Sequence, residues 1–359
     1  MNLRRLLAGP GYFFHRLQVS AALGRIFRNA VLRNILAYTF AIAIVWWIAR
    51  DVPLHRLLGA FADANLWVFI PVSLIGIAVW FVDETVLWSK LFSYFLTKTT
   101  FRELLPANAA QYFLQVINFA ASAGALALFL NRDKGVAMLD ASGTLLFMFF
   151  LDGIVLAAMA AGAGLLVPTS PMRAGLWWAI GAEIFFLAIA AFWLNGHPFT
   201  RVGRWLHERA WLRAFRDARP HQYLVLMAIR GAVFMFNGLI LYAQLWSFGV
   251  HVSLGQAMAF NPAVILFGAT PVTPVGVGSL QAMMVYGFSR FGTRHQLLAL
   301  SLAMNAMQFA FRIPLGFVAA GKFTREVTVE VQATGAARTE PRETRRESGW
   351  DESPADQHG

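Results

Sequence analysis

Chemistry in this sequence is offered by ionisable side chains set within or beside long apolar runs: Asp83, Glu84, Asp140, Asp152, Glu183, Arg230 and Arg312. An ionised group at the centre of a bilayer costs roughly 2.5–3.5 kcal/mol on insertion scales, so such residues are expected to face a protein interior or a watery cavity and to mark function. Asp83, Glu84 and Asp140 lie near the ends of their runs, where a solvated headgroup position is the simpler expectation. Asp152 and Arg312 lie well inside theirs and are expected to serve a site, or to brace one as a buried ion pair.

Uncharged polar residues add helical stripes. Gln111, Gln115, Asn118 and Ser122 recur at offsets of 4, 7 and 11, Asn305, Gln308 and Arg312 at 3 and 7, and Arg230, Asn237 and Gln244 at 7 and 14. Each set lies along one face of a helix. For the third stripe, plain interhelical hydrogen bonding at about 0.6 kcal/mol per contact is an equally open reading.

The most informative string is TPVTPVGVGSLQ, residues 270–281, in a charge-free stretch from Gly231 to Ser289. Pro271 and Pro274 cannot continue a helix, and Gly276 and Gly278 permit backbone shapes that other residues resist. A helix is therefore predicted to break here, and irregular backbone at membrane depth is tolerated only where it is buried or lines a cavity. The helix restarting near Ser279 would aim its free N–H groups into the break, a site suited to a phosphate or carboxylate. Thr270, Thr273, Pro274, Gly276, Gly278 and Gln281 are its candidate lining. The string lacks the lysine of a P-loop and the order GxGxxG.

Other chemistries are poorly served. The chain has no Cys, and its eight His (15, 55, 197, 207, 221, 251, 295 and 358) fall in loops, flanks or the tail with no HExxH spacing. No GxSxG elbow is present. Asp83 and Glu84 are adjacent, but neighbours on a helix point about 100° apart. The expectation is a protein without catalytic residues, metal or cofactor.

The elements that must position these groups follow from composition. Of 359 residues 58% are hydrophobic and 14% charged, against about 25% charged in soluble proteins. Full spans are predicted near 34–49, 66–88, 137–167, 175–195, 223–247 and 296–320. Two further apolar segments, 104–130 and 254–290, are interrupted by Gly, Pro and polar residues. Residues 1–33 and 196–222 each hold six Arg, and cytoplasmic loops carry the basic excess. Placing both inside requires segment 104–130 to be a re-entrant hairpin, and the same count makes 254–290 a hairpin from the outer side. The net charge of +11 then reads as orientation, with no nucleic acid as partner. The resulting order, span, hairpin, span, repeated with opposite sense, is the inverted-repeat plan of many transporters.

Three regions are expected: a basic interfacial leader at 1–30, a transmembrane domain at 31–322, and a cytoplasmic tail at 323–359 too polar to fold. The leader either lies on the inner membrane surface or is an ordinary charged flank. No cleavable signal is evident.

The 270–281 string, the helix after it, the Arg290–Arg294 turn and a last span with Arg312 and Gly316 together resemble the closing motif of the flippase-like family named for the transmembrane region of lysylphosphatidylglycerol synthase. Asn118, Gly124, Leu130-Asn131-Arg132, Gly135 and Asp152 sit where its first-half motif would be. The resemblance covers roughly residues 30–322. It departs from the family pattern at Gly124-Ala125, where Gly-Glu is usual, at Val275, where a glycine is usual, and at Gln281, near a usual acid. The aminoacyl-transfer domain of the full synthase does not follow, so that activity is not implied.

The combined expectation is an all-α, multi-pass protein of the bacterial inner membrane with both termini cytoplasmic. It would flip or transport a phospholipid, polyprenyl-linked or hopanoid-type lipid bound between the broken helices. Arg312 would neutralise an anionic headgroup, and Gln115, Asn118, Ser122, Gln281 and Gln308 would orient it. Asp152 would pair with Arg312 or another cation. A membrane transferase using Asp83 and Glu84, and a scaffold for lipid-biosynthesis enzymes, are the alternatives; the partner is a membrane lipid, and protein partners are not legible.

Overall fold

The computed structural model describes residues 52–117, 119–166, 170–194, 209–268 and 276–339, with scattered positions between 39 and 50. Among them every regular element is a helix. We number these α1 (Leu54–Ala62), α2 (Leu66–Phe95), α3 (Phe101–Ile117), α4 (Phe119–Lys134), α5 (Met138–Leu166), α6 (Ser170–Leu194), α7 (Arg213–Asp217, after a 3-10 turn at Ala210–Leu212), α8 (Pro220–Ser247), α9 (Leu254–Gly268), α10 (Ser279–Gly287) and α11 (Arg294–Thr339). Four stretches are long and apolar enough to cross a membrane: Leu66–Phe95, Met138–Ala163, Pro220–Ser247 and Arg294–Gly316. They match four of the predicted spans. α6 coincides with a fifth, while the leader and most of 34–49 lie outside the described residues. The polar tail differs from expectation, because α11 runs on to Thr339. Residues 323–339 lack proline, so nothing in them breaks the helix that enters from the span.

Both interrupted segments are two-helix units, as predicted: α3 with α4, and α9 with α10. Their construction repeats. α3 opens with a capping box in which the Thr100 N–H donates to Glu103 (3.2 Å) and the Glu103 N–H donates to the Thr100 hydroxyl (3.4 Å). α9 opens the same way at Ser253 and Gln256, at 2.8 and 3.2 Å. Asn108 then donates to the Phe81 carbonyl of α2, 27 residues earlier, and Asn261 donates to the Phe234 carbonyl of α8, also 27 residues earlier. Positions 81, 100, 103 and 108 thus recur as 234, 253, 256 and 261, a constant shift of 153.

Packing obeys the same relation. α2 lies on α8; α3 packs on α11 as α9 packs on α5; α2–α3 is matched by α8–α9, and α4–α5 by α10–α11. Between the copies in the chain lies α6, whose 25 residues span about 37 Å at 1.5 Å per residue. Lys134, at the end of α4, bonds Glu103 at 3.2 Å and closes the mouth of the first hairpin. The Thr100 N–H and Lys134 hold the Glu103 carboxyl below its usual range.

The apolar core divides in two. One cluster joins Leu87–Phe95 of α2 to Leu145–Ile154 of α5, Trp193 of α6 and Tyr223 and Leu226 of α8. The other joins Phe69 of α2 to Leu241–Phe248 of α8, Met284 and Phe288 of α10 and Leu297–Ala303 of α11. On α2 and α8 the polar residues Asp83, Glu84, Arg230 and Asn237 lie between these clusters, together with two smaller apolar groups around Phe81 and Phe234. We predict that Asn108→Ala and Asn261→Ala each lower stability by about 1 kcal/mol and add in the double variant, because the two asparagines share no hydrogen-bond partner. SDS-titrated unfolding of purified protein measures this; a strongly non-additive double variant would contradict two independent hairpin anchors.

Candidate functional site

Arg230 of α8 is 5% exposed and is held on all sides. Its Nε and Nη2 donate to the two carboxylate oxygens of Asp152 on α5, at 2.6 and 3.0 Å, and Nη1 donates to Asp83 on α2 at 3.1 Å. The guanidinium also lies 5.0 Å from the Trp80 ring and 4.8 Å from that of Phe234. A planar fork pairing with a carboxylate in two bonds is the strong geometry for such a cation. Of the two pairings expected for Asp152, with Arg312 or with another cation, the structure has the second, and the cation is Arg230. One expectation is corrected. Asp83 is no headgroup residue: α2 continues to Phe95, past the apolar run, so Asp83 sits inside the helix and is buried against Arg230.

Glu84 is corrected likewise. The Trp80 indole N–H, one turn back, donates to its Oε1 at 2.9 Å, while Oε2 is buried without a hydrogen-bond partner among the described residues. Asp140 lies in the first turn of α5, where a carboxylate suits the helix dipole. Glu183 is on α6, which packs on α5 and α7 and joins neither cluster.

Arg312 of α11 has a different environment. Its Nε donates to Gln308 Oε1 at 3.1 Å and its Nη1 to Gln115 Oε1 of α3 at 2.7 Å. The guanidinium stands 5.0 Å from the ring of the fully buried Tyr112. Both of these acceptors are neutral amides, and among the described residues no carboxylate forms a salt bridge with Arg312. Gln115, Gln308 and Arg312, drawn from two predicted stripes, are thus brought into contact.

Beside these clusters lies a cavity of about 70 Å³ between α2, α8, α9 and α11, lined by Trp80, Asn237, Gln244, Met307 and Gln308 among others. It has room for a few waters. Trp80 connects it to Glu84 and Arg230, and Gln308 connects it to Arg312. Gln244 donates to Ser73 at 2.9 Å, so the third stripe divides: Arg230 is an ion-pair hub, Gln244 an interhelical bond, and Asn237 a cavity wall.

At the second break, Thr270, Thr273 and Pro274 lie outside the described residues, as does Asn118 at the first. Two glycines shape the entry into α10. Gly276 and Gly278 have φ of 68° and 93°, and a Cβ on Gly276 would collide with the Gly268 backbone at the end of α9. Only glycine fits that approach. The Ser279 hydroxyl donates to the Phe267 carbonyl at 2.7 Å. Gln281, expected to contact a ligand, is fully buried; it accepts from the Gly278 N–H at 2.6 Å and donates to the Ser301 carbonyl at 3.4 Å. It shapes the loop and ties it to α11. Ser122 is buried on α4. Among the described residues no three His, Asp or Glu are grouped to hold a metal.

Sequence reasoning missed Trp80 and Tyr112, and it placed Asp83 and Glu84 near a span end instead of in the buried charge cluster. The i, i+4 spacing of Trp80 and Glu84 was the available signal for one pair; the approach of Asp83 to Arg230 is set by tertiary packing alone. Replacing Arg230 by Met would strand two buried carboxylates and is predicted to cost about 3–5 kcal/mol. The triple change Arg230→Met, Asp83→Asn, Asp152→Asn should recover most of it. Melting of detergent-purified variants tests this, and a triple variant no more stable than Arg230→Met would refute the ion-pair account.

No curated protein matches the chain. The family described as the lysylphosphatidylglycerol synthase TM region matches residues 34–316, a range that contains both breaks, both arginines and the cavity. The chain is therefore a multi-pass membrane protein belonging to the lysylphosphatidylglycerol synthase TM region family.

Proposed function

We propose that this protein carries an anionic lipid headgroup across the bacterial cytoplasmic membrane, both termini lying in the cytoplasm, and that it does so without making or breaking covalent bonds. The observation that carries the reading is Arg312: a cation among membrane-depth helices whose hydrogen-bond partners are the amide oxygens of Gln115 and Gln308. A charge in a low-dielectric interior without a counter-ion is costly, and an incoming phosphate removes that cost. Arg230, by contrast, is already neutralised and braces the frame.

The surroundings support transport. Two broken segments, one in each copy, with a polar zone between two apolar clusters, match the plan in which a fixed midplane site is exposed alternately to each side. The cavity holds a few waters and not a whole lipid, so acyl chains stay in the bilayer while the headgroup passes along the polar faces of α2, α8 and α11. The family relationship favours a phospholipid or a polyprenyl-linked lipid as cargo, the charged classes that Arg312 suits.

In proteoliposomes bearing a fluorescent anionic phospholipid, the rate at which inner-leaflet label becomes accessible to an impermeant quencher should fall about 10–100-fold in Arg312→Gln, consistent with losing one partner of a desolvated charge pair. Gly276→Leu should slow it as well, because the left-handed backbone and the contact with Gly268 both exclude a side chain. Wild-type rates in both variants, at equal reconstitution, would refute the reading.

A further inference from the structure

Five ionisable groups meet between the two apolar clusters: Asp83, Glu84, Asp152, Arg230 and Arg312. Four have clear assignments, since Arg230 holds Asp83 and Asp152 and Arg312 awaits an anion. Glu84 is left over. One oxygen accepts from Trp80, and the other is buried without a hydrogen-bond partner among the described residues. An acceptor in that state calls for a proton or a cation.

Its position is as telling as its missing partner. Trp80 holds Glu84 and also lines the cavity, while Gln308, across that cavity, holds Arg312. Glu84 is also the carboxylate that acts electrostatically on both arginines. The groups facing it are known from every helix packed on α2. They are Asp83 on α2 itself, Tyr112 on α3, Asp152 on α5, Arg230 on α8 and Arg312 on α11. The Tyr112 hydroxyl faces Glu84 as a neutral hydrogen-bonding group, and neither it nor Oε2 completes a bond of full geometry among the described residues. The charges of α7 lie elsewhere, Arg213 and Arg216 pairing with Asp217 at an exposed end.

We propose that Glu84 is a proton-coupling residue: it takes up one proton from water when an anionic headgroup binds beside Arg312, and releases it to water on the other side when the headgroup leaves. This inference rests on the lipid-transport reading above. With all five groups ionised the zone carries a net charge of −1, three carboxylates against two guanidiniums. A monoanionic headgroup would make it −2, and Glu84 is the carboxylate without a cation bound to it, so the proton goes there. Uptake restores −1, so loaded and empty forms carry the same charge through the bilayer. Asp83 and Asp152 each already have a cation, since both are bonded to Arg230. Trp80 keeps its bond to Oε1 in either state, and the proton occupies the vacant Oε2. Linkage is reciprocal: if the anion draws in a proton, a proton must tighten the anion.

The test uses the full chain in detergent with two probes, dioctanoyl phosphatidylglycerol and dimethyl phosphate, both phosphodiesters that stay monoanionic near neutral pH and do not themselves titrate. Calorimetry in two buffers of different ionisation heat counts protons taken up per probe bound. We expect close to one for wild type. Affinity should weaken with rising pH, approaching about tenfold per pH unit for one linked proton. Glu84→Gln, which mimics the protonated acid, should bind at high pH as tightly as wild type does at low pH, with no proton uptake. Uptake with both probes supports coupling to phosphate charge alone, and uptake with the lipid only supports coupling to a seated headgroup. A second readout needs no variant: probe binding should add a protonated-carboxyl C=O band to the wild-type infrared difference spectrum. Binding without proton uptake and without that band overturns the coupling and leaves lipid transport standing. Failure of the wild-type protein to bind either probe overturns both.

Discussion

The Arg230 guanidinium, gripped twice by Asp152 and once by Asp83, joins three helices that the chain delivers separately. An unpaired charge at that depth would cost several kcal/mol, and each carboxylate alone would do the same. Only the assembled triad is tolerable, so α2, α5 and α8 are fixed in relative rotation and height. Their remaining contacts inherit that register. Trp80 lies beside the same guanidinium and in turn aims its indole at Glu84, and Gly76 and Asn237 are among the residues that line the cavity where α2 and α8 meet.

The second organising feature is duplication. Each hairpin is anchored by an asparagine to a carbonyl of the preceding long helix, and each begins with a capping box at the same distance from that helix. Yet the copies differ where chemistry is concerned. Glu84 of the first copy stands at the position of Asn237 in the second, and Asp152 at that of Asn305. A symmetric scaffold therefore holds an asymmetric charge set. Backbone anchoring needs the same residues in both halves, whereas a site lying between the halves has to be charged only once.

Much of this architecture was legible in the sequence because bilayer crossing imposes strong rules. Four spans and both two-helix interruptions follow from apolar length, proline and glycine. The duplication was harder to read, since it survives in a few polar anchors, Thr100, Glu103 and Asn108 against Ser253, Gln256 and Asn261, scattered among interchangeable apolar residues. Ion-pair partners were the least legible. Asp152 was recognised as a buried charge, but its cation depends on which helix packs beside α5, and periodicity says nothing about that. Asp83 and Glu84 were misplaced for a related reason: hydropathy locates where a run becomes polar, not where the helix ends, and α2 extends seven residues beyond its predicted limit.

Two arginines at membrane depth have the same chemistry and opposite circumstances. Arg230 meets carboxylates, aromatic faces and complete burial; Arg312 meets two amide oxygens and one aromatic ring. Exchange of their partners would be fatal to function without harming the frame's charge balance, since a carboxylate bonded to Arg312 would leave nothing for an anion to neutralise. Glutamine is the side chain that orients a guanidinium through its carbonyl while contributing no charge, and Gln115 and Gln308 do this from two different helices. A cation held in place by neutral partners is preorganised for a ligand it does not yet have. On the proposed function, selectivity between charged and uncharged lipids would rest on Arg312 having amide oxygens rather than a carboxylate as its hydrogen-bond partners.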